Sequence, residues 1–216
     1  MTNSLKEQLE KTHSGFTSSV PQDVQNVISD GIKALTESDL IKKVIQKGQK
    51  APDFTLINSV GKKINLYDEL KKGRVILTWY RGGWCPYCNL QLQYMQQSLP
   101  IFKELGSNFI ALTPEKPDSS LSTKEKNELE FEVLSDIDST VAKSYGLTYK
   151  LTNEVSDLYK NTFSLDLAEY NENNSDELPI PATYIINQDA TVEYAYINAD
   201  YTKRAEPADI INELKK

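Results

Sequence analysis

The chain has two cysteines, three positions apart, in the stretch RGGWCPYCN at residues 81–89. Ahead of them RVILTWY (74–80) is a near-continuous apolar run with β-branched and aromatic residues, which predicts a buried strand. Behind them PYCNLQLQYMQQ places Tyr87, Leu90 or Gln91, Tyr94 and Met95 on a helical period. Pro86 suits the first helical position, where its missing N–H needs no partner, so Cys85 falls at the N-cap. A strand, a short turn carrying Cys-Pro-Tyr-Cys and a helix together predict a redox-active dithiol.

That placement has chemical consequences. Residues i and i+3 on a first helical turn have alpha carbons roughly 5 to 6 Å apart, within the span of a disulfide. The bond can then close and reopen with little backbone motion. Closing so small a loop restricts the unfolded chain little, which argues against a purely stabilising bridge. The thiolate is the attacking form, and a free cysteine has a pKa of about 8.5. A helix N-terminus supplies about 0.3 to 1 kcal/mol, up to about 2 in favourable geometry, against about 1.4 kcal/mol for each pKa unit. Extra donors or a cation are therefore expected, and Arg81 is the nearest in sequence; an ordinary exposed arginine at a strand end is the competing reading. Trp84 either shields the sulfurs or packs on the fold, and packing is the expected role.

Elsewhere the pattern is that of an α/β chain. Residues 1–47 read as a helical extension: Leu5 and Leu9, then Val24, Val27, Ile28, Ile32 and Leu35, then Leu40, Ile41, Val44 and Ile45 after Ser38 as a candidate N-cap. It is expected to cover the main body, with a homodimer contact as a further reading. Residues 48–216 read as one domain. DFTLI (53–57), KKINL (62–66), SNFIALTPE (107–115), FEVLSD (131–136) and two runs within LPIPATYIINQDATVEYAYIN (178–198) have strand character. LSTKEKNELE (121–130), STVAKSYG (139–146), NEVSDLYKNTF (153–163) and the segment after Pro207 read as helices, and EYNENNSDE (169–177) as an acidic loop. Ser98 and Pro100 predict a kink or break near Ser98 in the helix that follows the cysteines.

Charge and composition exclude several function classes. With 24 Lys and Arg against 31 Asp and Glu, the net charge of −7 repels polyanions, so nucleic acid is not an expected partner. The polar N-terminus and the lack of any apolar stretch of about 18 residues predict no membrane association and a cytoplasmic protein. A structural disulfide is improbable in a reducing cytosol. Two Cys and one His, the distant His13, fall short of the roughly four ligands of a structural zinc site within one chain. No metal and no cofactor is expected.

GQKAPDFTL (48–56), the strand-WCPYC-helix unit and IPATYIIN (180–187) resemble the thioredoxin fold in its peroxiredoxin form, the alkyl hydroperoxide reductase/thiol-specific antioxidant family. YRGGWCPYCNLQL and DYTKRAEP (200–207) resemble a peroxiredoxin-like subgroup that carries Cys-Pro-Tyr-Cys. The resemblance spans about residues 48–212 and implies a central mixed sheet flanked by helices. It implies a hydroperoxide substrate and a thioredoxin-like or glutathione-type reductant. Peroxiredoxins carry Pro-x-x-x-Thr-x-x-Cys and a distant arginine. On that spacing Cys88 falls on the peroxidatic position, Cys85 on the threonine and Arg81 on the proline, while Pro181 stands where the arginine is expected. Arg81 and Arg204 are the candidates to replace that arginine. Thioredoxins instead attack disulfides with the first cysteine of the pair, opposite a cis-proline that Pro181 resembles. The resemblance thus leaves two orders of attack, by Cys88 on a hydroperoxide or by Cys85 on a disulfide substrate. A glutaredoxin and a non-enzymatic redox sensor are the lesser readings.

Overall fold

The structure is a computed structural model that describes residues 4–216; the first three positions of the expected helical extension lie outside the described residues. The chain opens with α1 (Leu5–Ser19) and α2 (Gln22–Glu37), then a short 3-10 helix at Asp39–Lys43. Ser4 and Glu7 cap α1 reciprocally: the Glu7 N–H donates to Ser4 Oγ (3.2 Å) and the Ser4 N–H to Glu7 Oε2 (3.0 Å). The hairpin β1 (Thr55–Asn58) and β2 (Lys63–Asn65) follows, then α3 (Leu66–Leu70) and β3 (Arg74–Trp79). α4 (Pro86–Glu104), β4 (Ser107–Thr113), α5 (Pro117–Lys126), β5 (Glu132–Ser135) and α6 (Thr140–Ser144) complete the first half. The second half holds β6 (Thr148–Lys150), α7 (Asn153–Asn161), α8 (Leu167–Asn171), β7 (Glu177–Pro179), β8 (Ala182–Ile186), β9 (Val192–Ile197) and α9 (Pro207–Leu214).

Seven strands form one mixed sheet in the order β2-β1-β5-β4-β3-β8-β9. β3, β4 and β5 run parallel, and the remaining pairs are antiparallel. The alternation of side chains along β3 divides the core in two. Val75, Leu77 and Trp79 point to one face, with Phe54, Leu66, Tyr145 and Tyr184. Ile76 and, just past the strand, Tyr80 point to the other, beneath Leu92, Met95 and Phe102 of α4 and Ile210 and Leu214 of α9. Leu5 and Leu9 of α1 close that second layer from outside. On the first face Gly146 ends α6 at φ 73°, where a side chain would also strike the Lys43 carbonyl at 2.7 Å.

Four expectations are corrected. α4 passes through Pro100 without a break, because Met95, Leu99 and Phe102 stay on one buried face while Pro100 is exposed. The helix expected at 121–130 begins four residues earlier, at Pro117, and ends at Lys126; Leu129 turns into the core instead. The segment after Ser38 forms only a single 3-10 stretch, although the Ser38 hydroxyl caps it by accepting from the Leu40 N–H. The acidic stretch 169–177 is held in place rather than loose: α8 occupies its start, Asn173 Nδ2 donates to the Ile137 carbonyl (2.7 Å), and Glu177 begins β7, which pairs with β6 in a second, two-stranded sheet. Among the described residues no helix is long and apolar enough to cross a membrane.

Candidate active site

The carboxyl ends of the parallel strands β3 and β4 converge at one place on the sheet, the usual location of a site in such folds. β3 delivers Tyr80 and Arg81, and the loop Gly82–Trp84 turns the chain into α4. That loop is pinned from both sides: the Gly83 N–H donates to Glu115 Oε1 (3.0 Å), and Asn89 Nδ2 donates to the Gly83 carbonyl (2.8 Å). A side chain at Gly83 would meet Thr123 Oγ1 at 2.0 Å, so α5 approaches the loop too closely for any other residue. Cys85 is the N-cap of α4 and Pro86 its first residue, as the spacing predicts. The Cys85 side chain makes no capping hydrogen bond, and its carbonyl accepts from the Cys88 N–H (3.1 Å), which closes the turn between the two cysteines.

Both thiols are free and buried, Cys85 at 1 % exposure and Cys88 at 0 %. Their surroundings differ. Burial alone pushes Cys88 up, but the Cys85 thiol, the Arg204 and Arg81 charges and the Arg81 main-chain N–H together hold it well below the ordinary thiol value. Burial and the adjacent Cys88 push Cys85 well above it. The two opposite shifts favour a thiolate on Cys88 over one on Cys85. Cys85, not Cys88, lines a cavity of about 330 Å³ walled by Trp84, Tyr87, Tyr159, Phe163 and Tyr201.

Arg204 comes from the loop between β9 and α9, 116 positions from Cys88 in sequence, and its Nη2 donates to Cys88 Sγ at 3.3 Å. Its Nη1 is anchored on the carbonyls of Tyr201 and Lys203, the latter at 2.9 Å. Arg81 is equally buried, at 1 % exposure, which overturns the exposed-arginine reading. Its guanidinium sits in an aromatic cage, 3.9 Å from the Tyr201 ring, 5.0 Å from Trp84 and 5.6 Å from Tyr159, whose hydroxyl accepts from Nη2. Cation–π contacts return about 2 kcal/mol when desolvated, whereas burying an ion costs several kcal/mol. Arg81 forms no ion pair with a carboxylate among the described residues, and its Nε–H has no acceptor. Trp84 does more than pack: it floors that cage and walls the cavity beside Cys85.

Pro181 is buried directly ahead of Ala182, which pairs with Trp79, so it lies level with the approach to the motif. No peptide bond among the described residues is cis, so Pro181 does not reproduce the cis-proline it resembles. His13, distant in sequence, is near in space: α1 lies along α4, and His13 Nδ1 sits 3.3 Å from Tyr87 Oη. Among the described residues no cluster of three or more His, Cys, Asp or Glu is placed to hold a metal ion.

Glu115 went unrecognised in the sequence. It lies two positions past β4, 1 % exposed, and burial, reinforced by the neighbouring Cys88 charge, raises its pKa to about 7 against the donors Gly83 N–H and Thr113 Oγ1. An acidic residue after an apolar run reads as solvated; only the fold brings it under the cysteine loop. As pH rises, the unfolded chain ionises Glu115 near 4.5 while the folded chain resists until about 7, so its stability contribution is lost across that window. Relative to Glu115→Gln, the wild-type chain is expected to lose about 3 kcal/mol of unfolding free energy between pH 4.5 and pH 8. Denaturant unfolding of both reduced proteins across that range checks it, and a pH-independent difference would contradict the assignment.

Comparison with known proteins identifies the fold and the family. The chain is 35% identical over 101 residues to the thiol-disulfide oxidoreductase ResA of Bacillus thuringiensis subsp. konkukian, across 46% of this chain and 57% of ResA. It therefore spans a little over half the length of that relative. It is 30% identical over 133 residues to a provisionally named peroxiredoxin, Rv2521, of Mycobacterium tuberculosis, across 57% of this chain and 84% of that protein. The crystal structure of peroxidoxin BcpB from Mycobacterium tuberculosis superposes with a TM-score of 0.62 at 18% identity, covering 79% of this chain and 97% of that one, which establishes the peroxiredoxin-type thioredoxin-like fold. Residues 47–195, from the approach to β1 through the cysteine pair and into β9, match the AhpC/TSA family, and the chain belongs to that family.

Proposed function

We propose that the chain is a thiol oxidoreductase of the peroxidase type, which reduces a hydroperoxide with Cys88 and resolves with Cys85. The observation that carries this reading is the Arg204 guanidinium on the Cys88 sulfur at 3.3 Å, a buried cation placed to hold a thiolate there. In the proposed cycle the Cys88 thiolate attacks one peroxide oxygen and the O–O bond breaks. Cys88 becomes a sulfenic acid, and the departing alkoxide or hydroxide takes a proton from solvent. Cys88 then no longer carries the negative charge that holds Cys85 protonated, while the Arg81 and Arg204 charges still favour a Cys85 thiolate. Cys85 loses its proton, attacks the Cys88 sulfur and displaces hydroxide, which leaves as water. A thioredoxin-like or glutathione-type thiol reduces the resulting disulfide. Membership of the Cys-Pro-Tyr-Cys subgroup and a reducing, cytoplasmic location belong to the same proposal.

A specific observation favours a second reading. Cys85 faces the cavity and Cys88 lies behind it, so a bulky disulfide meets Cys85 first, and ResA is a thiol-disulfide oxidoreductase. The two are separated by mixing the reduced protein with stoichiometric peroxide or with a model protein disulfide. The peroxidase reading predicts that peroxide oxidises the pair faster than it oxidises free cysteine and that the protein disulfide is reduced slowly. The reverse order would transfer the function to disulfide exchange.

A further inference from the structure

The Arg81 guanidinium faces two cavities. One, of about 330 Å³, holds Cys85 and the aromatic residues; the other, of about 490 Å³, runs between α2 and α7, with Ile28, Ile32, Leu35, Leu151 and Val155 on its walls. They share Ile28, Arg81, Tyr159 and Tyr201, so they meet at the arginine, and each volume lies in the range of small-molecule sites. Three residues that line these cavities each carry a buried polar atom with no hydrogen-bond partner: Arg81 at Nε, Thr148 at Oγ1 beside the larger cavity and Trp84 at Nε1 beside the smaller. Buried donors without an acceptor and a buried guanidinium without a carboxylate partner are uncommon in proteins and call for an explanation, of which a bound acceptor is one. Asp39, a carboxylate on the wall of the larger cavity, is already paired with Lys42 at 2.6 Å.

We propose that this pair of cavities binds a carboxylate bearing a linear apolar tail, with its head on the Arg81 guanidinium and its tail among the aliphatic side chains of α2 and α7. The charge selects the head: a guanidinium is a strong donor to a carboxylate and lacks any here. The lining selects the tail, because Ile28, Ile32, Leu35 and Val155 offer it no polar partner. Nothing in this proposal requires either order of thiol attack.

Decanoate, 1-decanol and acetate serve as probes, titrated calorimetrically into the reduced full-length chain without peroxide or disulfide. Decanoate is expected to bind saturably and to change the Trp84 fluorescence. Its affinity should exceed that of 1-decanol by about tenfold or more, the effect of a charge-assisted hydrogen bond, and that of acetate by about a hundredfold or more, the effect of the buried tail. Arg81→Gln should remove the preference for the acid over the alcohol. Ile32→Trp, which fills the aliphatic cavity away from the cysteines, should weaken both ligands about tenfold and covers the case in which Arg81→Gln fails to fold. Equal affinity for acid and alcohol, no saturable binding of decanoate, or indifference to Ile32→Trp would each overturn the proposal. Because the titration involves no redox step, it can succeed where the peroxidase reading fails, and the reverse.

Discussion

Replacement of Cys88 by serine is expected to abolish peroxide consumption, whereas replacement of Cys85 should leave the first turnover intact and stop the second. The reason is the unequal division of charge between two sulfurs one helical turn apart. Arg204 on the Cys88 sulfur favours a thiolate there, whereas burial and the neighbouring Cys88 oppose ionisation of Cys85. A serine at position 88 removes the sulfur that Arg204 contacts and leaves Cys85, which has no guanidinium on its sulfur among the described residues and whose burial still opposes ionisation. A serine at position 85 removes the resolving group but not the nucleophile, so each chain should consume about one peroxide and then hold Cys88 as a sulfenic acid that a dimedone-type reagent traps. Mass spectrometry of the trapped protein locates the adduct. An adduct on Cys85 in the Cys88→Ser protein, formed as fast as in the wild type, would reverse the assigned roles.

The second large effect is expected at Arg204. Removing one partner of a buried ion pair costs about 3 to 5 kcal/mol because the other charge stays buried alone, equal to roughly two to four pKa units. A thiolate escapes that cost by taking up a proton. Arg204→Met should therefore raise the Cys88 pKa by about two units and lower the peroxide reaction rate at pH 7 by the accompanying fall in ionised fraction, at most about a hundredfold. The loss should largely vanish at a pH high enough to ionise Cys88 in both proteins, and Arg204→Lys, which keeps the charge without the planar fork, should fall between. A rate deficit that persists unchanged at high pH would mean that Arg204 acts on the fold or on the substrate instead of on the sulfur.

The parts of this site that were legible in the sequence are those made by neighbours along the chain. RVILTWY, Cys85 at the N-cap and Pro86 behind it are local patterns, and a strand feeding a helix converts them directly into geometry. DYTKRAEP drew attention to Arg204 by resemblance alone, and only the fold brings its guanidinium across the 116 positions that separate it from Cys88. Glu115 and Tyr159 carried no signal, since a carboxylate after an apolar run and a tyrosine on an amphipathic helix usually face solvent or core. His13 was set aside as distant, yet the packing of α1 on α4 places it beside Tyr87. The strands β6 and β7 are three residues each, too short for a period of two to show, and they exist because each supplies the other's ladder. Pro100 misled for a related reason: its effect on a helix depends on whether that turn faces solvent, which the sequence around it does not state.

The separation of charge between the two sulfurs is directly measurable as the ultraviolet absorbance of the thiolate, titrated against pH in the reduced wild-type, Cys85→Ser and Cys88→Ser proteins. A thiolate that forms well below the ordinary cysteine range in the wild type, survives replacement of Cys85 and disappears on replacement of Cys88 is the predicted result. Persistence of the acidic thiolate in Cys88→Ser, with its loss in Cys85→Ser, would contradict the roles assigned to both cysteines and to Arg204.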